Sequence, residues 1–421
     1  MTDAGGMDGL ETVCVRRRAA FYLPGYDPRR PRVYHALFTE ELAAAGALRG
    51  FAAQAGTLEG EDGPAPEFAI EAQDVSGGWR TRTDVTILRW DDIARPAFRA
   101  PLARRLGKLM RVGADLVRRG VVARLARIDR QFAAFIVYPY VTTLFLAVLV
   151  VLAALGAGAV AWQLHALAAP AAALAAGAAA AWLALRLDRP MFLRYLLEDW
   201  LFSFAHERGE THVLQERLDV FAAALVAAAR DPRIDEIVLV GHSSGAFLAP
   251  ETLALALAHD PDLGRRGPVV SLLTIGTVAP LMLVDETCLR YRAAVGRLAN
   301  EPSITWHEVQ SRHDLMNVCP ADPAALSGLF ATRTLWPRTL RLSMPQLVQP
   351  GRLGLFRERL FFFRTHFRFL RANERIHWYD FYGVLAGPTT LAARHVDVPD
   401  MRDALSPERG RAGSARSRRA A

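Results

Sequence analysis

The sequence has almost no lysine and little cysteine. Lys108 is the one lysine, so nearly all of the 51 basic residues are arginines. This bias is compositional and needs no functional explanation. Cys14, Cys288 and Cys319 are odd in number and form no C-x-x-C pair. That pattern argues against a disulfide framework and a thiolate metal site, and it favours a reducing compartment. Nothing else in the sequence suggests a metal or an organic cofactor, and we predict neither.

Two further absences concern the membrane. Met1 to Arg18 contains no apolar run, so we predict no cleavable signal peptide. No Asp, Glu, Lys or Arg occurs between Arg130 and Arg186. As one helix this uncharged interval would be about 80 Å long, whereas the hydrocarbon core of a bilayer is about 30 Å thick. Two spans joined by a tight turn therefore fit better than one.

We predict the first span at Phe132 to Leu155 and the second near Leu167 to Leu185, with the turn around Gly156 to His165. The alternative is a buried hairpin in the core of a soluble domain. The length of the interval and its lack of charge argue against that alternative. The spans are thus interpreted as a membrane anchor.

Both flanks of the anchor are basic. Phe98 to Arg130 is largely helical in pattern and rich in arginine, and Arg186, Arg189 and Arg194 follow the second span. The positive-inside rule then predicts that both ends lie in the cytoplasm, with the protein in the cytoplasmic membrane. The basic stripes could also be interpreted as nucleic-acid contacts. Their place beside two spans favours anionic lipid headgroups instead, and we predict no nucleic-acid partner.

A short motif in the second half of the chain carries the chemistry. Ile237 to Val240 has the pattern of a buried strand, and Ala246 to His259 that of a helix. Between them, Gly241-His242-Ser243-Ser244-Gly245 fits the G-x-S-x-G pattern of a nucleophile elbow. Such a turn presents the Ser243 hydroxyl, and the Ser244 N–H at the helix start can stabilise an oxyanion. A glycine-rich turn that binds phosphate, or nothing, is the plainer alternative.

From Leu218 to Thr277 the sequence resembles the α/β-hydrolase superfamily, in particular its bacterial membrane-anchored lipase- and esterase-like members, through this strand, Gly-His-Ser-x-Gly and helix. The resemblance implies an α/β fold, a mostly parallel sheet with helices on both faces, here with an inserted transmembrane hairpin. We divide the chain into residues 1–97 and 191–403 (hydrolase domain), 98–190 (basic helix and hairpin) and 404–421 (disordered basic tail).

A serine needs a base to take its proton, and the base needs an acid to orient it. In this superfamily both follow the serine along the chain, first the acid and then the histidine. Asp314 comes just after a predicted strand, Ile304 to Gln310, and is our candidate acid; it could instead cap the next helix. Asp285, after the preceding strand, is the second choice.

Three histidines follow Asp314 and are candidates for the base. His366 is favoured because its neighbourhood resembles the His-Phe-x-aromatic segment of bacterial membrane-bound relatives of lipases; His377 and His395 remain alternatives. His366 falls in a predicted basic aromatic helix, Arg352 to Arg371, where it could simply be an interfacial residue. Leu23-Pro24-Gly25-Tyr26 resembles the loop that donates the second oxyanion N–H, here that of Tyr26; a plain Pro-Gly turn is the alternative.

Together these features predict a membrane-anchored serine hydrolase that cleaves a lipid or acyl ester through an acyl-enzyme. An acyltransferase or thioesterase would use the same triad. A catalytically silent membrane scaffold of the same fold is the alternative from another class. The sequence predicts no particular substrate or oligomeric state.

Overall fold

The computed structural model describes residues 14–99, 102–351 and 361–405. This part of the chain divides after Arg95 and again before His206. The first unit is built from both ends of the chain, and the second is Pro96–Ala205. The second unit contains the whole predicted insertion, 98–190, and continues through most of the next helix. That helix packs within the second unit, where the Trp200 ring lies 5.9 Å from the Tyr140 ring.

The first unit contains an eight-stranded sheet in its described residues. Its strands are β1 (Arg17–Leu23), β2 (Phe51–Ala55), β3 (Glu67–Asp74), β4 (Arg80–Ile87), β5 (Glu236–His242), β6 (Val269–Ile275), β7 (Ile304–Gln310) and β8 (Arg338–Arg341). The spatial order is β2-β3-β4-β1-β5-β6-β7-β8. Strand β3 runs antiparallel to β2 and β4, and the pairs from β4 to β8 are parallel. The prediction of an α/β fold with a mostly parallel sheet is confirmed.

The described helices, in chain order, are α1 (Pro31–Arg49), α2 (Asp91–Arg99), α3 (Leu102–Arg118), α4 (Val121–Ile128), α5 (Arg130–Leu164), α6 (Ala169–Met191), α7 (Leu193–Glu207), α8 (His212–Ala229), α9 (Gly245–His259), α10 (Pro280–Leu283), α11 (Arg290–Leu298), α12 (Pro323–Ser327), α13 (Phe362–His366), α14 (Phe381–Ala386), α15 (Leu391–Arg394) and α16 (Arg402–Leu405). Short 3₁₀ turns lie at Ala166–Ala168, Met344–Gln346 and Phe367–Leu370.

The side chains of strand β5 are buried on both faces of the sheet. Val238 and Val240 belong to one core layer, where Phe38 of α1 packs 5.5 Å from Phe381 of α14 between ring centroids. Side chains alternate along a strand, so Ile237 and Leu239 point to the other face. They too are fully buried. A strand buried on both faces has a continuous run of apolar residues, as Ile237 to Val240 has here.

A buried ion pair joins the sheet to the C-terminal segment. Arg18 Nε lies 2.8 Å from Glu236 Oε2, and neither side chain is exposed. The guanidinium also donates to the carbonyls of Leu385, Gly387 and Thr389 at 3.0–3.1 Å. Glu236 Oε1 accepts the Leu391 N–H at 2.7 Å. The pair thus provides the hydrogen bonds that this buried stretch of backbone needs.

We expect Glu236→Gln to destabilise the first unit by about 3–5 kcal/mol, because it leaves the buried Arg18 charge uncompensated. Denaturant or thermal unfolding of the full chain measures the change. Glu71→Gln is the matched control: Glu71 pairs with Arg82 at 2.9 Å, but 40% of its side chain is exposed, so its loss should matter far less. Equal shifts for both variants would contradict the role given to the buried pair.

The second unit contains two helices that are long and apolar enough to cross a membrane. One is Arg130–Leu164, of 35 residues, and the other is Ala166–Met191, of 26 residues; their 18-residue apolar stretches have mean hydropathies of 2.7 and 1.7. The five buried residues of α5 all lie between Phe132 and Pro139. From Val141 to Leu164 the helix would be about 36 Å long, enough for a hydrocarbon core of about 30 Å.

The predicted turn around Gly156 to His165 is placed too early, and only its last residue, His165, lies at the observed turn. Helix α5 continues to Leu164, and the chain turns at His165 and the following 3₁₀ turn. Gly158 of α5 and Gly177 of α6 serve the packing of the two helices. A Cβ on Gly158 would lie 3.1 Å from Ala173 Cβ, and one on Gly177 would lie 3.2 Å from Ala154 Cβ. Small residues at these positions let α5 and α6 approach closely.

The predicted helix Arg352 to Arg371 is also corrected where the structure describes it. From residue 361 onward it is the short α13 followed by a 3₁₀ turn, not one continuous helix. Of the phenylalanines that suggested the helix, Phe362 and Phe369 are buried and Phe361 is exposed. Three stretches lie outside the described residues. They are residues 352–360 of this predicted helix, residues 1–13 of the stretch used for the signal-peptide prediction, and the predicted disordered tail beyond residue 405.

Candidate active site

The turn between β5 and α9 holds Ser243 in a strained backbone conformation. Strand β5 ends at His242 and α9 begins at Gly245. Ser243 has a φ of 59°, in the left-handed region that non-glycine residues rarely adopt. Its side chain is buried, with 7% of the residue exposed. Such strain persists only where the surroundings enforce it, and it concentrates at functional sites.

The two glycines of the motif enforce that turn. A Cβ on Gly241 would lie 2.5 Å from Gly245 O, and one on Gly245 would lie 2.2 Å from Leu23 O. Neither distance allows a side chain. The end of β1 and the start of α9 therefore touch, which brings the loop after β1 against the elbow.

That loop is the segment predicted to supply the second oxyanion N–H. A Cβ on Gly25 would lie 2.7 Å from Ser243 Cβ and 3.1 Å from Ser243 Oγ. Trp90 Nε1 donates to Pro24 O at 2.9 Å, and the fully buried Tyr26 ring lies 5.8 Å from the Trp90 ring. Trp90 thus fixes the loop after β1, whose backbone lies beside Ser243. Ser244, the other predicted donor, is the N-cap residue of α9.

Asp314 lies in the loop after β7, buried to 1% exposure. Its Oδ1 accepts the Met316 N–H at 3.0 Å, and its Oδ2 lies 2.7 Å from His366 Nδ1. Asn317 fixes the loop, because its amide oxygen accepts the Ser311 N–H at 2.5 Å and its amide nitrogen donates to Thr277 O at 3.2 Å. Sequence reasoning missed Asn317. The signal was an amide residue within the otherwise apolar stretch after Asp314.

The two ring nitrogens of the buried His366 have different surroundings. A carboxylate only accepts hydrogen bonds, so the contact with Asp314 assigns the hydrogen to Nδ1 and leaves a lone pair on Nε2. His366 Nε2 is buried and has no hydrogen-bond partner among the residues the structure describes, Ser243 Oγ included. A base in an enzyme free of substrate commonly lacks a tight hydrogen bond to its nucleophile.

Ser243 and His366 flank the same short segment of backbone. The Ser243 N–H donates to Ile275 O at 3.1 Å. The next residue, Gly276, has a φ of 58°, and a Cβ there would lie 2.9 Å from His366 Cε1. The His242 ring stacks on the His366 ring with 4.6 Å between centroids. The structure thus brings the predicted base against the residue that precedes the predicted nucleophile.

The alternative acid and bases have other partners. His395 Nδ1 lies 3.0 Å from His307 Nδ1, and burial lowers the pKa of His395 to about 3. His377 Nε2 lies 3.3 Å from Gln346 Oε1. Asp285 Oδ1 accepts the N–H and hydroxyl of Thr287. Of the three candidate histidines, His366 is the one whose ring nitrogen is within hydrogen-bond distance of Asp314.

His242 is buried inside the elbow. Burial, and secondarily the neighbouring His366, lower the pKa of His242 well below its usual value. It is therefore neutral at neutral pH. Its Nε2 lies 3.4 Å from His366 O. A neutral ring can stack on His366 without opposing a positive charge that develops there.

Sequence reasoning also missed a link between the loop after β1 and the histidine segment. Arg29 Nη2 lies 2.6 Å from Asp27 Oδ2, and the Tyr34 hydroxyl donates to the same oxygen at 2.7 Å. The Arg29 guanidinium lies 5.0 Å from the centroid of the Phe367 ring, within reach of a cation–π contact. Residues next to Tyr26 and next to His366 are thereby held together.

Within the described ranges, no group of three or more His, Cys, Asp or Glu side chains is arranged to hold a metal ion. Comparison of the chain with protein-family models, with curated proteins and with solved structures finds no match.

Proposed function

We propose that the first unit is a serine hydrolase of the α/β-hydrolase type, with Ser243 as nucleophile, His366 as base and Asp314 as orienting acid. One observation carries the proposal: a buried His366–Asp314 pair, 2.7 Å apart, lies against an elbow whose serine is strained to a φ of 59°. Strain and a buried acid–imidazole pair are costly, and they occur together where chemistry uses them.

In this mechanism Ser243 Oγ attacks the carbonyl carbon of an acyl substrate while its proton passes to His366 Nε2. Asp314 stabilises the imidazolium and holds the ring in the tautomer that leaves Nε2 free. The tetrahedral intermediate collapses, and the leaving alkoxide takes the proton from His366. Water, activated by the same imidazole, then attacks the acyl-enzyme and releases the acid.

The backbone N–H groups of Ser244 and Tyr26 are the proposed oxyanion donors. Support comes from Gly25, whose backbone lies too close to Ser243 to accept a side chain, and from the position of Ser244 at the start of α9. A helix N-terminus favours negative charge, and preorganised donors there stabilise it at no cost of reorganisation.

A lipid or another acyl ester is the proposed substrate class, because the second unit carries two helices suited to a bilayer. Purified full-length protein in detergent should hydrolyse p-nitrophenyl esters of increasing chain length. Adding an alcohol or thiol acceptor distinguishes hydrolase from acyltransferase, since a transferase forms the new ester or thioester. An acyl-thioester series tests thioesterase activity in the same way. A protein that turns over none of these compounds would instead fit the scaffold alternative.

Gly25→Ala should lower turnover by about 100-fold or more, because its Cβ would displace either Ser243 or the oxyanion loop, and catalysis is sensitive to shifts of about 1 Å. Gly56→Ala is the control: its Cβ would meet nothing closer than Ala69 O at 3.5 Å, an ordinary contact. Turnover and thermal midpoint are measured for both. Normal turnover in Gly25→Ala would argue against an active site at this loop.

We further propose that the hairpin of α5 and α6 anchors the protein in the cytoplasmic membrane, with the first unit on the cytoplasmic side. The charge-free interval and its arginine-rich flanks support this orientation. A reporter inserted near Gln163 should then report the far side, and one fused after Ala421 the cytoplasm. Detergent should extract the protein, whereas release by high salt alone would contradict the anchor.

A further inference from the structure

A cavity of about 450 Å³ lies within the second unit, between α3, α4 and α5. That volume is within the range of sites for small organic molecules, about 300–1,000 Å³. Its lining is apolar except for Arg118 and Tyr140 among the described lining residues. Val117 and Val141 line it and keep 65% and 58% of their surfaces exposed. The cavity therefore opens to the surface beside these two valines.

The Tyr140 hydroxyl is a buried polar group on a residue that lines the cavity. The ring packs on Gly113, where a Cβ would lie 2.6 Å from the Tyr140 ring, and stacks on Trp200 at 5.9 Å. Its hydroxyl is buried and has no hydrogen-bond partner in the described part of the chain. A buried hydroxyl without a partner is costly. An acceptor brought by a ligand in the cavity would satisfy it.

The cavity lies where the apolar surface of α5 begins. Val141 and Leu144 line it, and both are more than half exposed. Further along the helix Phe145, Leu152 and Leu155 are exposed as well. If this surface faces lipid, as the proposed anchor requires, the cavity lies at the level where the ester and phosphate groups of lipids meet the acyl chains.

Helix α3 carries two exposed arginines on the face that lines the cavity. Arg118 lines the cavity, and Arg111 lies seven residues earlier on α3, on the same helical face. Both are exposed. Arg118 pairs with Asp115 at 2.9 Å, but 80% of its side chain remains exposed, so this ion pair is weak and leaves the guanidinium accessible. An anionic group at the opening would be stabilised by these two arginines.

We propose that this cavity binds one molecule of an anionic phospholipid. One acyl chain lies between α3 and α5, the Tyr140 hydroxyl donates to an ester carbonyl oxygen, and Arg118 with Arg111 binds the phosphate. All of its described lining residues belong to the second unit, whereas Ser243 belongs to the first, and we propose it as a lipid site that takes no part in the hydrolysis. This proposal depends on the proposed membrane anchor but not on the proposed catalytic activity.

Native mass spectrometry of the full chain in detergent tests the proposal. The probes are phosphatidylglycerol and phosphatidylcholine with identical acyl chains. We expect one phosphatidylglycerol bound per chain, at least tenfold more tightly than phosphatidylcholine. Glycerol phosphate, which has the phosphate but no chains, should not displace it. Equal binding of both lipids, or displacement by glycerol phosphate, would overturn the proposal.

Matched variants locate the site. Arg118→Gln should weaken phosphatidylglycerol binding about fivefold, the effect of one arginine near an anionic headgroup, whereas Arg127→Gln, an exposed residue of α4 outside the lining, should not. Ala114→Trp fills the cavity and should reduce binding at least tenfold; Ala123→Trp, exposed on α4 and outside the lining, is its control. Thermal unfolding verifies that each variant is folded.

Tyr140→Phe isolates the hydroxyl, because it keeps the ring on Gly113 and Trp200. It should weaken binding of the diacyl lipid severalfold and leave binding of an ether-linked analogue, which lacks the carbonyl oxygens, unchanged. If each lining variant and its control have equal effects, the binding is nonspecific attraction to a basic surface and the proposed site does not exist.

Discussion

Ser243→Ala should lower ester turnover by a factor on the order of 10⁴ to 10⁶, because the remaining groups can bind a substrate but cannot form the acyl-enzyme. Ser244→Ala is the matched control. Its proposed contribution is a backbone N–H, which alanine retains, so turnover should stay within a fewfold of the parent protein. Steady-state rates on one p-nitrophenyl ester measure both.

The reverse pattern, in which Ser244→Ala is inactive and Ser243→Ala is not, would mean that the elbow has been assigned to the wrong serine. Equal and small effects of both changes would point to another nucleophile. Since Ser243 is strained to a φ of 59°, Ser243→Gly provides a second test. Glycine relieves the strain, so this variant should be at least as stable as the parent and equally inactive.

His366→Ala should reduce turnover to a similar extent, since members of a triad act as a unit. Asp314→Asn should cost about 10⁴ in kcat, because an amide in place of the carboxylate no longer holds the imidazole in the required tautomer. The double variant should be little worse than His366→Ala alone. Such non-additivity is the expected signature of a base and its orienting acid.

His377→Ala is the control for the base. His377 is exposed enough to be removed without a cavity, and its ring contacts Gln346 rather than Asp314. Its loss should leave turnover nearly unchanged. If His377→Ala were inactive and His366→Ala active, the base and the role of the His366–Asp314 pair would both be misassigned.

The strand, turn and helix around Ser243 could be predicted because every cause of that turn is local. An apolar run, small residues at Gly241 and Gly245, and an alanine-rich helix suffice to specify it. Asp314 could be located because strand Ile304–Gln310 was recognised from its pattern and the carboxyl ends of parallel strands meet at one edge. His366 came from a resemblance, since nothing in its own segment indicated which carboxylate it would meet.

What the sequence did not reveal depends on long-range packing. Periodicity indicates that a residue is buried but not what it is buried against, so the contact between Arg29 and Phe367 was invisible. The hairpin turn was predicted around Gly156 to His165, but in the structure α5 continues to Leu164 and the chain turns at His165. Gly158 lies within α5 and faces Ala173 of the partner helix. Whether a small residue in an apolar stretch belongs to a turn or to a helix contact depends on a partner that the local sequence does not identify.

Covalent modification shows whether Ser243 is an activated nucleophile. The full-length protein is treated with a fluorophosphonate, its intact mass is measured, and the modified peptide is sequenced by mass spectrometry. We expect one adduct per chain, on Ser243, absent in Ser243→Ala and formed far more slowly in His366→Ala. An adduct on another serine, or an unmodified protein that still turns over esters, would contradict this expectation.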